Sequence, residues 1–324
     1  MQLNEKTVQS VLPGRNGQPS SQTFRSRVVR DFRRNYLIYL MLLPVVVYYL
    51  VFQYGPLYGI QIAFKNFSAG LGIWNSPWAG FQHFEDFFTS HFFVRTTRNT
   101  VMLGLYDLIF VFPSSIILAL MLNEVRNQIF KRTVQSITYI PHFISIIVIA
   151  GMILDFLATD GLINQLIEYF GGTAIPFMRL PEWFRTVYIT SAIWQGVGWG
   201  SIIYLAAISN IDPSLYDAAK VDGASRWRQA FHITLPGIMP TVIILFILRI
   251  GSFMALQDEK ILLLYNSMTY ETADVIGTYV YRKGILEANY SYSTAVGLFN
   301  SMINFTLLLA ANYLSKKFTE TKLW

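Results

Sequence analysis

The sequence predicts an all-α, polytopic membrane protein: a bundle of about six transmembrane helices. Three observations carry that prediction. Hydrophobic residues fill 53% of the 324 positions and charged residues only 14%, against about 25% charged in an ordinary soluble domain. The apolar residues gather in runs of bilayer length, and a helix crossing the ~30 Å hydrocarbon layer needs about 20 of them. Lys and Arg are unequal across alternate inter-run segments, sixteen on one side and seven on the other, the bias that marks cytoplasmic loops.

Residues 1–34 read as a polar cytoplasmic tail, rich at first in Gly, Pro, Ser and Gln and unable to bury a core. The first apolar run starts too late and is too long for a cleavable signal. Spans are placed at 35–54, 97–123, 133–157, 184–210, 237–262 and 293–314, within a transmembrane domain over 35–318. Residues 319–324 form a second cytoplasmic tail. The richer side holds Arg25, Arg27, Arg30, Arg33 and Arg34 before the first span, Arg126, Lys131 and Arg132, then Lys220, Arg226 and Arg228, then Lys316 and Lys317. Both termini are therefore expected inside. Pro113 and Pro141 should kink their spans, and Gly196, Gly198 and Gly200 permit close helix contact. Outside loops are aromatic, with Trp74, Trp78, Phe81, Phe87 and Phe93 in the first and Tyr270, Tyr279 and Tyr290 in the last. An interfacial belt with a small outside helix and a docking surface for a partner both fit them.

Several chemistries are excluded. Without cysteine there is no disulfide framework, thiolate metal site or cysteine nucleophile. His83, His91, His142 and His232 form no helical pair at metal-ligand spacing. There is no phosphate-binding Gly-x-x-x-x-Gly-Lys-[Ser/Thr] loop, no His-Glu-x-x-His and no Gly-x-Ser-x-Gly. The net charge of +6 follows the bilayer pattern, so nucleic acid is not an expected partner.

The segment between the fourth and fifth spans is the most informative. Asp212 suits an N-cap and Pro213 the first helical turn. Leu215, Ala218 and Ala219 share a face. Gly223 can take the positive φ that ends the helix. Ser225 can cap a second short helix, which Pro236 is expected to stop before the next span. The result is two short surface helices around a glycine turn, with small alanines that let a partner approach closely.

Asp217-Ala218-Ala219, Asp222-Gly223, Ile233 and Leu235-Pro236 stand at the spacing of the cytoplasmic loop of binding-protein-dependent ATP-driven importers. The chain resembles the inner-membrane permease subunit of that family, in its sugar and oligosaccharide group. Asp217 stands where the family usually has Glu, so the charge persists with a shorter reach. Trp194-Gln195-Gly196-Val197-Gly198-Trp199, Ile203–Ala207 and Thr294–Phe299 add to the likeness, which covers residues 35–318 and is greatest for permeases of polysaccharide-derived and uronate oligomers such as alginate. The resemblance implies a bacterial inner-membrane subunit, itself no enzyme. It would work with a second permease, two cytoplasmic ATPase subunits and a soluble binding protein outside. It would bind no cofactor, ATP and Mg belonging to the ATPase. The loop would be the coupling helix seated on that ATPase, moving the permeases between inward- and outward-facing states.

Polar residues inside the spans are the candidate pathway. Arg249 lies about 18 Å beyond Gly237 along a helix, and a mid-bilayer arginine is costly unless it faces protein or water. It can pair with Asp107, placed about 15 Å from the outside end of the second span, or line the pathway and meet a carboxylate or hydroxyls bidentately. Asn300 and Asn304 share a face, and Gln195, Trp194, Gln257 and Asp258 complete a lining of amides, acid and aromatics suited to a sugar. Interhelical hydrogen bonding would use the same residues. A stand-alone secondary transporter or channel is the rival reading, but there is no inverted repeat with paired broken helices.

Overall fold

The computed structural model describes residues 32–256 and 258–318. The predicted tails, apart from 32–34, and Gln257 lie outside the described residues. The described residues divide into two units, one ending at Gly59 and the other beginning at Ile60. Helix α1, Tyr36–Phe64, is apolar over 29 residues. It is α-helical to Tyr48 and then π-helical over Tyr49–Tyr54.

The second unit holds α2 (Gln82–Thr89), α3 (His91–Glu124), α4 (Gln128–Phe143), α5 (Ile146–Phe156), α6 (Leu162–Tyr169) and α7 (Pro181–Ser209). These are followed by α8 (Pro213–Val221), α9 (Arg226–Gly251), α10 (Asp258–Leu264), α11 (Tyr270–Ala273), α12 (Ile276–Tyr281) and α13 (Tyr290–Lys317). Among the described residues five helices are long and apolar enough to cross a bilayer: α1, α3, α7, α9 and α13. Among the described residues the sheet-like content is one bridge, Lys65 to Trp78. The all-α polytopic bundle is the observed fold.

Two predicted spans are corrected. The third, 133–157, is a broken pair, α4 and α5 meeting at 102°. Pro141 lies in the last, tightened turn of α4, and Ser145 then caps α5 by accepting from the Val148 amide at 3.4 Å. A proline kink thus becomes a full break because the chain supplies a fresh N-cap beyond it. The fifth span starts at Arg226 rather than 237 and ends at Gly251 rather than 262. Pro236 does not stop the preceding short helix. A π-helical turn over Ala230–Thr234 takes up the proline's missing N–H and steric demand, so the helix runs on.

Three apolar clusters hold the second unit. Leu103, Ala150, Phe184, Ile189, Ile261 and Val275 join α3, α5, α7, α10 and the approach to α12. Phe87 of α2, Ile276 and Tyr279 of α12, and Tyr292 and Val296 of α13 form a second. Ala119, Tyr204, Ile208 and Ile238 join the later parts of α3 and α7 to the middle of α9. Opposite α8, Asp274 is fully buried and accepts from Arg95 at 2.8 Å and Arg282 at 2.9 Å. Asn99 donates to the backbone oxygens of Glu271 and Asp274 while accepting from Arg185. This network pins α11 and α12 to α3 and α7. Burying these charges without such partners would be strongly unfavourable.

Gly198 is where α7 meets α4 backbone to backbone. A Cβ there would overlap the carbonyl oxygen of Thr138, whereas one at Gly196 would meet nothing within 4 Å. Gly198→Ala is expected to cost about 1–3 kcal/mol, the usual scale of overpacking. It should show as a lowered unfolding midpoint in detergent, with Gly196→Ala unchanged as the control.

Candidate functional site

Between the first and third clusters, a cavity of about 520 Å³ opens among α3, α7, α9 and the segment after Gly251. Along α7 it extends from Tyr188 to Tyr204, about 24 Å at 1.5 Å per residue. Its polar groups include Asp107, Arg249, Gln195, His142 and Ser252, set among aromatic and aliphatic side chains.

Arg249 and Asp107 form a bidentate pair, with Nε and Nη2 donating to the two carboxylate oxygens. The alternatives posed by the sequence therefore coincide: the arginine is paired and also lines the cavity. Its side chain is 44% exposed, against 16% for Asp107. Both depths are revised. Asp107 sits about 24 Å from the His91 end of α3, because that helix begins earlier than expected. Arg249 occupies the last turn of α9, where a cation also complements the helix dipole. Pairing with Asp107 still sets it opposite the middle of the 34-residue α3.

The other predicted pathway residues divide. Gln195 lines the cavity, and its side-chain oxygen is buried without a hydrogen-bond partner. Trp194 lies outside the lining. Asn304 accepts from the Met254 amide at 2.8 Å and Asn300 donates to the Met254 carbonyl at 3.4 Å. These two amides hold the backbone freed where α9 ends, so in this structure they are interhelical fastenings. Asp258 opens α10 with its carboxyl against Gly277, also outside the cavity.

The structure adds residues that the sequence did not single out. His142 stacks on Trp199 with ring centres 4.5 Å apart and planes 4° from parallel, and Phe143 meets Trp199 edge-on. Tyr188 and Tyr204 stand at the two ends of the cavity wall. No short motif predicts this grouping, because His142 and Trp199 come from two different helices, α4 and α7, that pack together.

The loop beyond α7 folds largely as expected. Asp212 accepts from the Ser214 amide at 2.9 Å and caps α8. That amide, with the Ser214 side chain, holds the Asp212 carboxyl below the usual carboxylate range. Gly223 has φ +73°, and Ser225 accepts from the Arg228 amide to cap the start of α9. Leu215, Asp217, Ala218 and Asp222 are exposed and Ala219 is half-buried. Asp217 pairs with Lys220 at 2.9 Å. Ile233 and Leu235 are half-buried and belong to α9, with Leu235 packed on the third cluster. Pro236 is exposed beside them. The eight motif residues are thus split between an exposed helix, the glycine turn that follows it and the root of the next span.

Residues 111–320 match the family described as binding-protein-dependent transport system inner membrane component. Protein LplB of Bacillus subtilis (strain 168) is 46% identical over 293 residues, covering 90% of this chain and 92% of that protein. The polygalacturonan/rhamnogalacturonan transport system permease protein YteP of the same organism is 44% identical over 316 residues, covering 97% and 98%. Among solved structures, a chain of a bacterial ABC transporter involved in the import of the acidic polysaccharide alginate superposes with a TM-score of 0.85 at 44% identity, covering 90% of this chain and 99% of that one. A chain of the bacterial alginate ABC transporter in complex with alginate pentasaccharide-bound periplasmic protein gives 0.86 at 43%, covering 92% and 100%.

Proposed function

The chain belongs to the family of binding-protein-dependent transport system inner membrane components, and from that premise we propose that it carries an oligosaccharide, an acidic one in preference to a neutral one, through the cavity beside Arg249. The family sets aside the rival of a stand-alone transporter, since its members are components of multi-part importers. One observation carries the substrate proposal: the cavity brings together the partly exposed Arg249 side chain of α9 and the stacked His142–Trp199 pair of α4 and α7. Sugar C–H faces pack on aromatic rings, hydroxyls find Gln195 and Ser252, and a uronate carboxylate recovers part of its lost hydration at Arg249. Two of the relatives, the polygalacturonan/rhamnogalacturonan permease YteP and the importer of the acidic polysaccharide alginate, favour the same substrate class.

The mechanism follows from the two ends. A binding protein delivers the cargo at the face away from α8, and the cavity holds it weakly, because tight capture would prevent release. An ATPase dimer with its ATP and Mg²⁺ docks on the exposed face of α8. Its closure rocks this chain and a second permease between outward- and inward-facing states. The test is reconstitution of the complex in vesicles, with uptake of uronate oligomers measured against neutral oligomers of equal length. Acidic uptake at least several-fold faster is expected, and equal rates would overturn the preference. Co-purification of the ATPase with the tagged chain is the companion test.

Orientation makes a separate prediction. Reporter fusions near residues 75, 172 and 278 should read outside, and fusions near 127 and 225 inside. A fusion at 225 reading outside would overturn the proposed orientation and the docking of α8 together.

A further inference from the structure

No residue of α8 is buried, and a gap of about 380 Å³ with mixed polar and apolar lining lies between it and the ends of α3, α4 and α7. Lys220 of α8, Glu124 of α3, Lys131 and Gln135 of α4 and Ser209 of α7 line that gap. Asp217 and Lys220 pair with each other within the helix. Tyr216 lines the same gap. Its hydroxyl hydrogen-bonds the Thr234 hydroxyl at 2.9 Å. Among the described residues this is the one side-chain hydrogen bond from α8 to another helix. The start of α9, by contrast, is tied to α3 through Arg226, which donates to the Glu124 carbonyl at 3.3 Å.

Thr234 is 1% exposed and ends the π-helical turn Ala230–Thr234. There the hydrogen-bond ladder is already irregular, and Pro236 removes a further donor just beyond. A helix yields most readily at such a place. The covalent route from α8 to α9 passes through Gly223 in its left-handed conformation, which transmits rotation poorly because glycine is free to change conformation. The tyrosine ring is a stiff lever with few rotatable bonds, aimed across the gap at the soft turn.

We propose that the Tyr216–Thr234 hydrogen bond is the strut that carries displacement of α8 into the membrane-spanning α9, which makes Tyr216 a positioning residue for energy coupling. The inference rests on the reading of α8 as the helix that docks the ATPase. Tyr216 itself is turned away from the exposed face that would meet the partner, so its hydroxyl serves transmission and not docking.

The experiment uses the complete complex in vesicles with Tyr216→Phe, Thr234→Val and the double variant. Three quantities are measured: ATPase retained on the tagged chain, ATP hydrolysed, and substrate taken up. Retention and hydrolysis should stay within about two-fold of the parent. Uptake per ATP should fall about five-fold in each single variant, the scale of one net hydrogen bond, with no further fall in the double variant, as members of one coupled pair require. Uptake per ATP within two-fold of the parent in both single variants overturns the strut. So does a double variant whose loss is the product of the two single losses. Loss of retained ATPase in Tyr216→Phe would make the residue a docking contact and also overturn it. If the parent complex retains no ATPase, the docking reading of α8 falls first and the strut falls with it.

Discussion

Gly223→Val is expected to lower uptake at least ten-fold while leaving association with the outside binding protein intact. Gly223 has φ +73°, and a Cβ added there meets nothing within 4 Å. The effect is therefore conformational and owes nothing to a clash. An L-residue in the left-handed region costs roughly 1–2 kcal/mol, and a β-branched one is a true outlier there. The chain escapes by changing its dihedral angles, which swings α8 away from its position beside α9. Gly223→Asn is the control, since Asn tolerates this conformation far better and should keep most of the uptake. Asp217→Lys gives an independent arm. The Asp217–Lys220 pair is 63–72% exposed, and such pairs contribute only about 0–1 kcal/mol, so the fold should survive the charge reversal. Lost uptake then reports on docking. Normal transport in both Gly223→Val and Asp217→Lys would sink the assignment of α8 as the coupling helix.

Arg249→Met is expected to remove uptake of acidic oligomers selectively, and Arg249→Lys to restore much of it. The methionine leaves Asp107 without its bidentate partner, so the cavity changes from a neutral pair with accessible positive charge to a net negative wall. That wall repels a polyuronate and is nearly indifferent to a neutral sugar. Breaking a fully buried pair costs about 3–5 kcal/mol. The cost here should be smaller because the Arg249 side chain is 44% exposed, which leaves enough folded complex to assay. Vesicles matched for assembled complex are compared with acidic and neutral oligomers of equal length. Equal loss for both sugars, with poor assembly repaired by adding Asp107→Asn, would show that the arginine serves the fold alone.

What the sequence made legible was whatever depends on one stretch of chain. Asp212 as a cap, Gly223 in a left-handed turn, and apolar runs of bilayer length all express local physics, and each is present in the structure. The pair Arg249–Asp107 was also within reach, because two opposite charges in apolar helices have few other partners. What escaped depended on neighbours. Ser145 looks like an ordinary serine in an apolar run until the chain turns by 102° in front of it. The end of α9 at Gly251 was masked by the apolar Met254, Ala255 and Leu256 beyond it, and Asn300 and Asn304 then looked like cavity lining when their task is to hold Met254. The stack of His142 on Trp199 joins residues 57 positions apart on two packed helices, a relation that no spacing rule contains.

The contact at Gly198 has a genetic consequence that the one at Gly200 does not share. A substitution at Gly200 would collide with the Ser115 hydroxyl and its Cβ, so a second mutation trimming Ser115 to glycine makes room, and suppressors of Gly200→Ala should arise there. At Gly198 the obstructing atoms are first the carbonyl oxygen and carbon of Thr138, which every amino acid carries. No replacement at position 138 can clear them. Revertants of Gly198→Ala are therefore expected to restore glycine itself, or to fall at distant sites that let α4 withdraw, and a selection for regained growth on the transported sugar would sort the two positions by that difference.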